Sequence, residues 1–388
     1  MSDSVHATRA DHRDVLVVGT YPPTRCGLAT FTANTRRGLL CAGAHGVDVL
    51  RLGEAPPDAE PPEVVGHWRA GEHVPTTVSA LTELADGYAT VLLQHEFGIY
   101  PGHDGIHVLD LVGGLHAPVV SVLHTVLVDP SQPQRRIIEA LVDYSARAVV
   151  QTPSAARRLT SRYFVDPAKV AVIAHGAEPN VQPGAPPRTG PPVLLTWGLL
   201  GPGKGIEHAI RAVAILARRG IPVRYVVSGQ THPGVVANEG ERYRESLVDL
   251  VGELGVADRV EFDNQYRDWP SLLAQVRACD IVVLPYDSRE QVTSGVLVDA
   301  LASAKPIVAT AFPHAVDVVD GRCGLVVAHE EPVALADAIE RLVTNRALRD
   351  AYARAAGAEG SLLAWPAIGA QYLELLRSVG DDLISLGG

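Results

Sequence analysis

Lysine is nearly absent from this chain of 388 residues: Lys169, Lys204 and Lys305 are the only three among 33 basic side chains, and the rest are arginine. The net charge of −11 argues against a protein that coats nucleic acid, and no nucleic-acid partner is expected. Against that background Lys204 reads as a residue chosen for its chemistry. Cysteine is equally sparse. Cys26, Cys41, Cys279 and Cys323 form no C-x-x-C pair, which argues against structural zinc and leaves buried free thiols as the expectation. No run approaches the ~18 uninterrupted apolar residues of a membrane span. The opening "MSDSVHATRADHRD" lacks the apolar core of a signal peptide, so the reading is a cytoplasmic protein.

Hydrophobic residues nevertheless make up 47% of the chain, enough for two cores in domains of about 190 residues. Short, nearly continuous apolar runs recur: 14–20, 47–52, 90–95, 118–124, 148–152 and 170–175, then 193–198, 223–229, 259–264, 280–286 and 306–310. Such runs are buried parallel strands, and the helical patterns between them imply two doubly wound, Rossmann-like sheets. Between the two sets lies "GAEPNVQPGAPPRTGPP", rich in proline and without apolar periodicity. The division is an N-terminal domain over 1–178, a linker over 179–192, a C-terminal domain over 193–364 and a last helix over 365–388 that fits either domain. Ligands of such sheets bind at the carboxyl ends of the strands.

Five stretches at strand ends carry candidate chemistry. "GLLGPGK", from Gly198 to Lys204, matches the glycine and lysine spacing of a phosphate-binding P-loop, but Gly205 stands where magnesium needs a hydroxyl. Free amides at the next helix and Lys204 still suit an anion, with a plain glycine turn around Gly203 as the alternative. "YPPTRCGLATFT" is not a dinucleotide fingerprint, yet Arg25 and Gly27 follow the first strand. "QHEFGIYPGHDGIH" holds His95, Glu96, Tyr100, His103 and His107; the glycines and proline speak against a helical metal site, and contact with sugar hydroxyls is preferred. His124 ends a buried strand and reads equally as a core or a site histidine. In "LPYDSREQVTSGVLVDA", Thr293, Ser294 and Gly295 open a helix that suits an anion, with Asp299 further along it, or they form an ordinary cap.

With these stretches in order, the chain resembles the retaining glycosyltransferases of family 4, which have the GT-B fold, and within them a mannosyltransferase-like branch. The resemblance runs through "YPPTRCGLATFT", "QHEFGIYPG", "HTVLVDP", "IAHGAEP", "WGLLGPGKGIEHAI", "SGQTHP", "LPYDSREQVTSGVLVDALASAKPIVAT" and "WPAIGAQY". It implies two Rossmann-like domains facing a deep cleft, with the last helix crossing back to the N-terminal domain. It implies a nucleoside diphosphate sugar donor, GDP-mannose favoured, with no cofactor and no metal. Catalytic roles fall to His124, Lys204 and Gln291. Donor contacts fall to Arg25, Gly27, Gly203, Gly229, Asn264, Tyr266, Thr293, Ser294, Gly295 and Asp299. His95, Glu96 and Tyr100 would meet the acceptor, a hydroxyl-bearing sugar, lipid or small molecule.

Two positions depart from the family pattern. Gln291 stands where a glutamate is usual, and Leu199 where many members carry arginine. The competing readings are a GT-B relative with other chemistry, such as an epimerase or a transferase to a non-sugar acceptor, and an inactive sugar-nucleotide-binding protein. Membrane contact is peripheral at most, through Arg157, Arg158 and Arg162, whose alternative is a solvated helix face.

Overall fold

A computed structural model describes residues 13–24, 26–53, 60–69, 74–181, 190–265 and 267–386. The chain divides into two compact units, residues 1–176 with 365–388, and residues 177–364.

The first unit alternates strands and helices: β1 (Arg13–Gly19), α1 (Gly27–Cys41), β2 (Val47–Leu52), β3 (Val64–Trp68), α2 (Val74–Ala85), β4 (Tyr88–His95), α3 (Val108–Gly114), β5 (Val119–Leu123), α4 (Gln132–Tyr144), β6 (Arg147–Val150), α5 (Pro153–Arg162) and β7 (Val170–Val172). All described pairings are parallel, in the order β3-β2-β1-β4-β5-β6-β7. Helices cover both faces, so the central strands are apolar on both sides: Val15 to Val18 and Val91 to Leu93 are all buried.

The second unit continues with β8 (Val193–Trp197), α6 (Ile206–Arg218), β9 (Arg224–Ser228), α7 (Pro233–Glu239), α8 (Arg242–Glu253), β10 (Val260–Asp263), α9 (Trp269–Ala278), β11 (Ile281–Leu284), α10 (Gly295–Ala302), β12 (Ile307–Thr310), α11 (Pro313–Val318), β13 (Gly324–Val327), α12 (Pro332–Thr344) and α13 (Arg346–Leu362). Its parallel order is β10-β9-β8-β11-β12-β13. Strand periodicity sorts the core onto two faces. Val193, Leu195 and Trp197 pack on one side of β8 with Leu297 and Phe312, while Leu194 packs on the other with Ile210 and Ile339.

Strands β3 and β13 are additions to the sequence reading: both lie at sheet edges, and three of the four residues of β13 are only half buried. The stretch expected to be linker is also partly structured. Asn180 is buried; its amide nitrogen reaches Leu273 O at 2.9 Å and Ser303 Oγ at 2.8 Å, so Ala177–Asn180 belongs with the second unit. Residues 182–189 of that stretch lie outside the described residues. All four cysteines are free, and no described helix is long and apolar enough to cross a membrane.

The last helix, α14 (Trp365–Leu386), completes the first core. Trp365, Ile368, Tyr372 and Leu376 pack with Val15, Phe31 and Leu92. Its backbone touches α1 through paired glycines: a Cβ on Gly369 would lie 2.1 Å from the carbonyl carbon of Gly38. A methyl group there forces the helices apart, and overpacking of this kind costs about 1–3 kcal/mol. Gly369→Ala is therefore expected to destabilise the protein by about that amount in a urea titration; an unchanged midpoint would mean that the two helices are not in register here.

Candidate active site

In the second unit the carboxyl ends of β8, β9 and β11 meet without side chains between them. Gly205 has φ +60°, and a Cβ on it would lie 1.8 Å from the carbonyl oxygen of Pro285. That contact explains why no serine or threonine follows Lys204. Gly229, with φ +134°, is held equally closely, since its Cβ would lie 2.0 Å from Gly198 O. Gly203, at φ +85°, faces open space.

This frame aims Lys204 across the face of Tyr286, with Nζ 4.5 Å from the ring centroid. Burial lowers the lysine's pKa, because the charged form loses water. Among the described residues no carboxylate pairs with it. The result is a partly desolvated cation whose only described partner is an aromatic face.

Nearby, α10 begins at an N-cap serine, and Ser294 Oγ accepts from Leu297 N at 3.3 Å. The prediction that Ser294 offers its amide to an anion needs correction. That N–H donates to His314 Nδ1 at 2.9 Å, a buried imidazole that no local pattern flagged. Gln291 donates its side-chain N–H to Thr293 O at 3.1 Å, which leaves its carbonyl oxygen to accept. Asp299 lies on α10, half buried, and burial pushes its pKa up to about 7. Leu199 is half buried beside Leu200, whose N–H donates to Gln230 O at 2.8 Å.

Two expected donor contacts have other tasks. Gly229 is glycine because Gly198 crowds it, and its carbonyl accepts from Arg244 at 2.5 Å. Asn264 Oδ1 also accepts from Arg244, a buried arginine that the sequence reading missed. Arg244 thus ties the ends of β9 and β10 together. Tyr266 and Arg25 lie outside the described residues.

In the first unit, Gly27 opens α1 behind the N-cap Cys26, whose sulfur accepts from Ala29 N at 3.3 Å. A Cβ on Gly27 would meet no atom of the described residues within 4 Å beyond its chain neighbours. His124, just beyond β5, is wired on both sides. Its Nε2 lies 2.8 Å from Gln94 Oε1, and its Nδ1 lies 3.3 Å from Gln151 Nε2. With the amides so oriented, the Nε2–H donates to Gln94 and Nδ1 accepts from Gln151. Burial, with His175 and His95 nearby, lowers its pKa to about 3, so the ring is neutral. Phe31 holds it edge-on at 4.7 Å between centroids, and also contacts His175 and Trp365.

His95 and Tyr100 correct the acceptor prediction. His95 is fully buried, has no partner on either ring nitrogen, and stacks on Tyr100. Desolvation lowers its pKa to about 4. Tyr100 turns its hydroxyl inward to Gln94 O at 2.7 Å. Both pack beneath the loop that was expected to expose them. Glu96 remains half exposed at the rim, accepting from Thr125 Oγ1 at 2.5 Å and from Phe97 N at 3.0 Å.

The three histidines of that loop are not gathered as metal ligands: His103 pairs with Asp104 and His107 with Asp110. Among the described residues one group has suitable atoms close together, Glu207, His208 and Asp287, beside the glycine loop of the second unit. His208 Nε2 lies 3.4 Å from Asp287 Oδ1, and Tyr243 donates to Glu207 Oε2 at 3.0 Å. Burial raises the Asp287 pKa, with a smaller contribution from Glu207.

Comparison with known proteins places this geometry. Residues 179–358 match the family described as glycosyl transferases group 1. A D-inositol 3-phosphate glycosyltransferase of Actinosynnema mirum is 31% identical over 368 residues, covering 84% of this chain and 84% of that protein. One from a Nocardioides species is 29% identical over 360 residues, covering 82% and 77%. Among solved structures, sucrose-phosphate synthase of Thermosynechococcus elongatus aligns with a TM-score of 0.77 at 20% identity, covering 95% of this chain and 99% of that one. Anabaena HepE in complex with UDP aligns with a TM-score of 0.74 at 17% identity, covering 94% and 100%. The chain belongs to the glycosyl transferases group 1 family, and its two parallel-sheet units are the Rossmann-like domains of a GT-B glycosyltransferase.

Proposed function

We propose that the protein is a retaining, metal-independent glycosyltransferase that moves a hexose from a nucleoside diphosphate sugar to a hydroxyl acceptor. The observation that carries this reading is Lys204, a cation lying on Tyr286 with no described carboxylate partner. A departing diphosphate develops negative charge, and a preorganised cation in a partly dry site stabilises it. Gln291 offers a neutral carbonyl to the donor sugar, and Asp299 a carboxyl to a ribose hydroxyl pair. Retention is proposed to run with the leaving phosphate taking the acceptor's proton. His124 supports that route, because it is neutral and both its nitrogens are engaged by glutamines. It takes no proton.

The resemblance names mannose on guanosine diphosphate, whereas the Anabaena relative was solved with UDP. A thermal-shift screen of sugar nucleotides distinguishes these, since a ligand of the native state raises its melting temperature. Binding of a nucleotide without turnover would instead favour an inactive binding protein.

Lys204→Ala is expected to lower kcat/KM at least ten-fold, because a charge-assisted phosphate contact is worth about 1.5–3 kcal/mol. Steady-state rates equal to the parent's would remove Lys204 from the mechanism. Asp299 gives a pH signature. Between the ordinary aspartate value of 3.8 and about 7 the native state keeps a proton that the unfolded chain releases, so stability falls as pH rises across that window. Asp299→Asn is expected to melt higher than the parent at pH 8 and to lose the nucleotide-induced rise. A parent-like nucleotide shift would place the ribose elsewhere. Turnover is expected to survive a chelator; activity lost to chelation and restored by zinc or manganese would assign a cation to Glu207, His208 and Asp287.

A further inference from the structure

The acceptor side of the first unit carries a fixed negative charge. Glu96 follows β4 and Thr125 lies just past β5, on adjacent parallel strands joined at their ends by His124 N donating to His95 O at 3.1 Å. Both donors to the Glu96 carboxylate, the Thr125 hydroxyl and the Phe97 amide, are neutral. Among the described residues no lysine or arginine pairs with it.

Two arginines elsewhere in the unit have carboxylate partners of their own. Arg51 is buried with Glu60 at 2.9 Å, and Arg36 lies 3.6 Å from Glu63. Arg158 donates to the Val126 carbonyl at 2.7 Å. Beside the same imidazole, Gln94 Nε2 and Gln151 Oε1 are buried and unpartnered, one donor and one acceptor. A phosphate has only acceptor oxygens beside Glu96, and like charges at close range repel.

We propose that Glu96 selects the acceptor: the rim it forms with Thr125 takes a polyol bearing hydroxyl groups and no phosphate. This sets the chain apart from relatives whose name gives a phosphorylated inositol as acceptor. The inference rests on the glycosyltransferase reading and on the acceptor lying against the first unit. An amine-bearing polyol suits the same rim, since an ammonium is a counter-ion for the carboxylate.

The test uses the full-length protein with the sugar nucleotide found in the thermal-shift screen, and follows release of the nucleoside diphosphate. The acceptors are myo-inositol, an aminodeoxyinositol, glucosamine and D-inositol 3-phosphate. The expected result is a kcat/KM for at least one unphosphorylated acceptor that exceeds that for the phosphate ester at least ten-fold. Glu96→Gln is expected to shrink that ratio at least ten-fold, mainly through KM, while the nucleotide-induced thermal shift stays at the parent value. Preference for the phosphate ester by the parent protein would overturn the proposal without any variant. Donor binding with no transfer to any unphosphorylated acceptor would also overturn it while leaving the donor reading intact. Absence of donor binding would overturn the glycosyltransferase reading itself.

Discussion

Backbone meeting backbone at the carboxyl end of the second sheet is the constraint on which the donor-side geometry depends. Gly205 lies against the carbonyl of Pro285, and Gly229 against that of Gly198. Any side chain at either position would push the glycine loop off the strand ends. The close approach lets the loop return under Lys204, with Asp287 N donating to Gly203 O at 3.0 Å. Tyr286, fully buried between these contacts, becomes the platform for the ammonium. The charge is thus aimed by contacts that themselves carry no charge.

The two units solve opposite electrostatic problems. The second holds a cation without a described counter-ion, which suits a group that becomes more negative as it leaves. The first buries three histidines. His95, His124 and His175 are all held well below the ordinary histidine range, with burial the largest cause. Glu96 there is half exposed, and its carboxylate accepts from two neutral donors.

Much of this was legible in the sequence. Uninterrupted apolar runs announce parallel strands because helices cover both faces of the sheet, and eleven such runs correspond to strands in the structure. Edge strands β3 and β13 escaped, since an edge position relaxes the demand for apolar residues on which that signal depends. Lys204 was conspicuous by scarcity. The loop after β4 misled in part: His95 and Tyr100 look like a polar binding surface, yet the pleat and the turn send both inward. The helix start at Ser294 misled for a different reason. Its amide is taken by His314, twenty residues further along, and no local pattern announces that partner.

The order of runs, glycines and the rare lysine determined on its own that the chain builds two Rossmann-like domains and brings a glycine loop with Lys204 to a strand end. These are local properties, carried by uninterrupted apolar runs and by residues that alone tolerate a tight turn. Tertiary structure decided what that loop touches, which amides remain open, and how His124 is wired between Gln94 and Gln151. It also decided that Glu96 meets Thr125, a residue from the neighbouring strand's end. Such pairings join positions dozens of residues apart. Their energies depend on distance and burial, which the order of residues in one chain does not by itself specify.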